Sequence, residues 1–217
     1  MGTDNLHHKK RLAKSYERKP GRRPAGKRYL IVCEGAKSEP HYFKEIRHEL
    51  RLQTATIDVC GKECGSDPVS VFKYAAKLCD DEKHSAYDSV FCVIDTDDHA
   101  NLSQALELID ARGKPFQAVV SSPCFEYWLL LHHSFHRSSF RATGTKSIGE
   151  VVESALRKHD GMYQKGKPGL WSRYKDKLEV ALSNSKAIHK TSRASGNKNP
   201  STDIHFLVEA LVALKSN

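Results

Sequence analysis

No uninterrupted apolar run in the 217-residue chain comes near the roughly 18 residues needed to span a membrane. The basic amino terminus has no apolar stretch of the secretory kind, and Leu6 breaks the myristoylation pattern after Gly2. A soluble, cytoplasmic protein with no membrane partner is expected. Its cysteines, Cys33, Cys60, Cys64, Cys79, Cys92 and Cys124, stand mostly in apolar segments, where cysteine acts as a small buried hydrophobe. Disulfides are not expected in that compartment. Cys60-x-x-x-Cys64 lacks the second ligand pair that a zinc site needs. The length suits one α/β domain with an appendage, or two small domains.

The net charge of +9 is unevenly spread: residues 1–28 carry +8, residues 29–136 carry −7 and residues 137–198 carry +9. An acidic centre that holds cations, between basic parts that grip a polyanion such as nucleic acid, would have this pattern. The alternative is that the lysine-rich segments are simply solvated. Residues 1–27, with Pro20, Gly21, Pro24 and Gly26 and almost no apolar periodicity, read as a disordered arm. Residues 28–136 read as an α/β core, and residues 137–217 as a basic helical lobe packed on it.

The organising stretch is Ser89 to His99, an apolar run that ends in Asp95, Asp97 and Asp98. Such a run reads as a strand buried on both faces of a parallel sheet. Side chains alternate along a strand, so Asp95 and Asp97 emerge on one side of its carboxyl end, the edge where open α/β sheets bind ligands. Two carboxylates there repel unless a proton or a cation intervenes, and hard oxygen ligands favour Mg²⁺ or Mn²⁺. Capping of the following helix by Asp97 or Asp98 is the plainer alternative.

Arg28 to Gly35 repeats the pattern as a first strand, with Glu34 at its carboxyl end and Gly35 in the turn; Ser38 is the expected cap of the next helix. Ala55 to Cys60 and Phe116 to Val120 complete a strand–helix alternation, with helices after Asp67-Pro68 and from Leu102 to Gly113. Cys124 to His133 is predicted as a buried helix in which Glu126 is the anomaly, needing a partner, a proton or a cation. His132 and His133 are either core histidines or site groups. Ser147-Ile148-Gly149-Glu150 matches a capping box. A glycine- and lysine-rich loop, Gly161 to Gly169, is expected before a helix, then a polar loop from Lys190 to Asn199, and a last helix starting at Pro200 to Thr202. Tyr163, Trp171 and Tyr174 among Lys165, Lys167, Arg173 and Lys175 either stack on bases or belong to the core.

Val32-Cys33-Glu34-Gly35 with Lys37-Ser38-Glu39-Pro40, Asp95-Thr96-Asp97-Asp98-His99, Pro123-Cys124-Phe125-Glu126 with Trp128 and His132, and Asn199-Pro200-Ser201-Thr202 together resemble the RloB-like family. That family is found beside restriction and abortive-infection loci and is related to TOPRIM nucleases. Ala36 and Ser38 replace a more usual glutamate and threonine, which leaves every candidate ligand in place. The resemblance implies a TOPRIM-like fold and a metal-dependent nuclease acting on RNA, such as tRNA, or on DNA in phage defence, with an ATPase partner encoded nearby. It further implies Asp95, Asp97 and Glu34 as Mg²⁺ or Mn²⁺ ligands, Glu34 alternatively as general base, Glu126 as a ligand of a second ion and Lys37 as a phosphate stabiliser. Asp98, His99 and His132 would orient those ligands. A non-catalytic nucleic-acid- or partner-binding effector stays open, as does a phosphotransferase with Asp95 as nucleophile.

Overall fold

A computed structural model describes residues 27–59, 67–81, 87–96 and 101–215. The basic arm before residue 27, Cys60, Cys64, Asp97, Asp98 and His99 lie outside the described residues. Strands and helices alternate as expected: β1 (Tyr29–Cys33), α1 (Ser38–Glu49), β2 (Ala55–Val59), α2 (Pro68–Asp80), β3 (Ser89–Asp95), α3 (Leu102–Arg112) and β4 (Phe116–Ser122). After them come α4 (Glu126–Leu130), α5 (Ile148–His159), α6 (Leu170–Tyr174), a 3₁₀ turn (Lys175–Lys177), α7 (Leu178–Ser195), β5 (Ser201–Thr202) and α8 (Ile204–Lys215). The sheet order is β2-β1-β3-β4-β5, parallel except for β5. The fold is therefore α/β, with a mostly parallel five-stranded sheet flanked by helices.

Alternation along the strands divides the interior. Ile31, Cys33, Phe91, Val93 and Val119 face a large core shared with α1 and with the helices from α4 to α8. Leu30, Val32, Val90, Cys92 and Ile94 face a smaller core under α2 and α3. The larger core crosses residue 136, joining Tyr42 and Phe43 of α1 to Leu156, Trp171 and Leu207. Local chemistry sets the helix starts: Asp67 accepts the Val69 and Ser70 N–H groups at 3.0 and 3.3 Å, and the Ser147–Glu150 capping box forms in both directions.

Four boundaries differ from expectation. Lys37, not Ser38, precedes the first turn of α1, because the Ser38 hydroxyl is turned inward toward Glu126. The buried helix after Pro123 has only five regular residues, flanked by tighter turns in which the Tyr127 and His132 N–H groups reach back three residues. α7 runs through Lys190 to Ser195, where a loop was expected, and stops at Gly196, whose φ is +72°. Ser201 and Thr202 form an edge strand rather than a helix start, pairing with Ser122 and Ser121 of β4. The C-terminal segment thus completes the sheet.

Candidate active site

β1 and β3 are neighbours in parallel register, Cys33 opposite Val93, so their carboxyl ends emerge together. The chain leaves β1 toward β2 on one side and returns to β3 on the other, making this the switch point where open α/β sheets form a crevice. Glu34 continues the ladder, its N–H donating to the Val93 carbonyl at 3.2 Å. Its Oε2 accepts the Asp95 N–H at 3.4 Å. Both side chains are half-buried and line a cavity of about 270 Å³ with Lys37, Ser38, Glu39 and Lys165.

Glu39 is the carboxylate that sequence reasoning left without a role. It sits in the first turn of α1 and is buried, with its Oε2 only 2.6 Å from where a β-carbon at residue 35 would stand. Gly35 therefore leaves room for this carboxylate; its φ is not left-handed, so the turn itself does not require glycine as the sequence suggested. Burial pushes the Glu39 carboxyl up to about 7; the negative charges of Glu126 and Glu34 add to this, and the Lys165 ammonium opposes it.

Glu126, 1% exposed, stands behind this cavity. Its Oε1 accepts the Tyr163 hydroxyl at 2.8 Å and the Ser38 hydroxyl at 3.4 Å, and lies 3.7 Å from the Lys165 ammonium. Glu153 of α5 also reaches Lys165, at 3.3 Å. Burial lowers the Lys165 pKa, but Glu126 and Glu153 outweigh it and hold the ammonium firmly charged. Glu126 thus tethers Lys165 and Tyr163 and does not itself line the cavity.

Lys165 comes from the loop between α5 and α6, which is fastened to α1 at two points. The Gly166 N–H donates to the Ser38 hydroxyl at 3.3 Å, and Glu45 accepts the Gly169 and Trp171 N–H groups. The remaining expected nucleic-acid contacts are distributed differently. Arg173 is paired with Asp160 at 2.9 Å and Lys175 with Glu49 at 2.9 Å, so their charges are already matched; Lys167 is exposed. Tyr163, Trp171 and Tyr174 are buried in the core. His132 does not orient Glu34 or Asp95. Its ring packs between Trp128 and Tyr174, Nδ1 meets the Trp128 carbonyl at 3.1 Å, and burial lowers its pKa to about 4.

Among the described residues, no three His, Cys, Asp or Glu side chains converge closely enough to hold a metal ion unaided. The carboxylates that do face one cavity are Glu34, Glu39 and Asp95. Also among the described residues, no helix is long and apolar enough to cross a membrane.

The chain matches the model of the RloB-like protein family over residues 29–211. It belongs to the RloB-like family. No curated protein and no solved structure matches it. The matched span of this RloB-like chain runs from β1 into α8, and so includes Glu34, Glu39, Asp95, Glu126 and Lys165.

Proposed function

We propose that this RloB-like protein is a metal-dependent nuclease that hydrolyses phosphodiester bonds of nucleic acid. The observation that carries the reading is the Glu34–Asp95 pair at the carboxyl edge of adjacent strands, one carboxylate held by the other residue's N–H, in a cavity that also presents Lys37 and Lys165. The donor set fits a hard divalent cation. Glu34, Asp95 and Glu39 offer oxygen atoms only, and their mutual repulsion is relieved by a cation or a proton. Asp97 would add a further oxygen donor from the segment after β3. When bound, Mg²⁺ or Mn²⁺ would neutralise phosphate charge and acidify a water.

The protein's own groups divide the remaining work. Asp95 and Glu34 would hold the cation, or Glu34 would instead accept a proton from the attacking water. Lys37 and Lys165 face the phosphate and offset the charge that builds on its oxygens. Glu126 and Glu153 keep the Lys165 ammonium charged and aimed at the cavity. The TOPRIM relation, a defence role in the cytoplasm, RNA such as tRNA or DNA as substrate, and an ATPase partner are part of the proposal on the family resemblance alone.

The test incubates purified full chain with tRNA, other RNA, and single- and double-stranded DNA, in Mg²⁺, Mn²⁺ or EDTA, beside Glu34→Gln and Asp95→Asn. Cleavage that needs metal and vanishes in both variants is the expected result. Absence of both cleavage and calorimetric Mn²⁺ uptake would overturn the reading in favour of a non-catalytic effector.

A further inference from the structure

A second cavity, of about 320 Å³, opens beside the same strand end. Its floor is apolar, formed by Ala118 and Val120 of β4 and Leu102 and Leu106 of α3. All four are only partly buried, so the sheet face beyond α3 is left open here. Its rim is cationic, with Arg193 near the end of α7 and Lys198 before β5, both exposed. His189 also faces the cavity, but its Nδ1 is 3.0 Å from Asp203 Oδ1. Asp203 is fixed in turn by accepting the Val120 N–H at 3.3 Å and donating its own N–H to the Val120 carbonyl at 2.9 Å. The His189–Asp203 pair is thus internally matched, and Arg193 and Lys198 are the cations that face outward.

The position of Thr96 links the two cavities. Thr96 lines the second, its hydroxyl donating to Ser122 Oγ at 2.9 Å, whereas Asp95 lines the first. Consecutive strand residues point to opposite faces and their α-carbons stand about 3.8 Å apart, so one peptide separates the two sites. Asp95 and Thr96 thus bring the two cavities to one strand end, one on each side of it. The cavity lies at the small end of the usual size range for ligand pockets, roughly 300–1,000 Å³. Its apolar floor suits the flat face of a base, and an arginine above that floor suits both stacking and a phosphate oxygen. A base paired in a duplex could not enter without leaving its stack.

We infer that this cavity binds the unpaired base of a nucleotide next to the scissile phosphate, which makes single-stranded nucleic acid, or an unpaired segment of a folded one, the substrate class. The placement beside the scissile phosphate rests on the nuclease reading above; the occupancy of the cavity by a base does not.

The test measures binding of the full chain to short labelled single strands by fluorescence anisotropy, in EDTA, against strands carrying one abasic residue at successive positions. Loss of the base at one position weakens wild-type binding by about tenfold, the scale of one stacked base. Leu106→Trp fills the cavity, and Arg193→Ala removes the stacking arginine, one of the two rim cations, without touching the core. Each weakens binding of the intact strand and abolishes the distinction between intact and abasic strands. Circular dichroism checks that Leu106→Trp folds; if it does not, Arg193→Ala decides. Abasic discrimination that persists in the decisive variant, or none in wild type, overturns the inference. Mn²⁺ uptake dependent on Asp95 is measured in parallel. Uptake without abasic discrimination sinks this inference alone, and discrimination without uptake sinks the nuclease reading alone.

Discussion

The side chain of Lys37 packs onto the backbone of Gly166, so closely that a β-carbon at residue 166 would stand 2.7 Å from the Lys37 Cδ and 3.0 Å from its Cβ. This contact closes the loop between α5 and α6 over the β1–α1 turn and delivers Lys165 to the strand-end carboxylates. The cationic side of the candidate site therefore depends on a glycine far away in sequence. Gly166 also has φ of +78°, a left-handed conformation that side chains resist.

Gly166→Ala should accordingly cost about 1–3 kcal/mol, through backbone strain and the steric conflict with Lys37. The loop shifts, Lys165 leaves the cavity, and cleavage falls while Mn²⁺ still binds at Glu34 and Asp95. Urea denaturation and calorimetry on the same preparation check both halves; a variant with wild-type stability and activity would refute the role given to this contact.

Glu126 offers a sharper distinction, because a ligand and a tether respond differently to the loss of charge. Glu126→Gln keeps an oxygen for the Tyr163 hydroxyl but removes the charge facing Lys165, a change costing about 1 kcal/mol. Glu126→Ala removes the acceptor shared by the Tyr163 and Ser38 hydroxyls and opens a gap in the interior, and should cost about 3 kcal/mol. Mn²⁺ affinity measured by calorimetry stays near wild type in Glu126→Gln. A drop of a hundredfold or more would restore Glu126 as a direct ligand.

Glu34 and Asp95 were legible in the sequence because each ends an apolar run, and strand ends are where α/β sheets present ligands. That the two strands are neighbours was not legible, because alternation implies a parallel sheet but leaves the strand order open. Glu39 was visible but unread: its place in the first turn of a helix gives no sign that Gly35 leaves room for its carboxylate. Lys165 stood among the expected nucleic-acid contacts, but nothing in the sequence set it beside Glu34 and Asp95, because that place comes from a loop held by tertiary contacts to Ser38 and Glu45. Ser201–Thr202 carries no alternating pattern, and two residues become a strand only because the edge of β4 is there to pair with them.

Two buried groups should pull the pH dependence of stability in opposite directions in EDTA. Burial pushes the Glu39 carboxyl from an ordinary 4.5 up to about 7 in the folded state, so the folded state binds more protons between these values. Its contribution is complete below about pH 4.5 and is lost as pH rises through 7, with a size on the order of 3 kcal/mol. His132 titrates near 4 against 6.5, so its contribution is present above about pH 6.5 and lost as pH falls through 4. Wild type is therefore flattened between about pH 4.5 and 6.5, where the two oppose each other. Glu39→Gln should expose the His132 slope, with stability falling steadily on acidification in that window. Denaturation midpoints across the window test this, and equal slopes in wild type and Glu39→Gln would disprove it.

The cations of the C-terminal half should contribute unequally to nucleic-acid affinity. Arg173 and Lys175 each face a carboxylate, and a phosphate would have to displace Asp160 or Glu49 to reach them. Lys37 is exposed, with its stem against Gly166, and it lines the cavity. An ammonium that meets a phosphate releases a counterion, so its removal lowers the salt slope of binding by about one, whereas removing an already paired cation barely changes it. Lys37→Ala should therefore weaken binding of a single strand in EDTA and reduce the slope by about one. Arg173→Ala and Lys175→Ala should leave the slope within error of wild type. Anisotropy titrations at several salt concentrations decide the matter: a slope reduced in the Arg173 and Lys175 variants but not in Lys37→Ala would place the nucleic acid on the outer face of the lobe, away from Glu34 and Asp95.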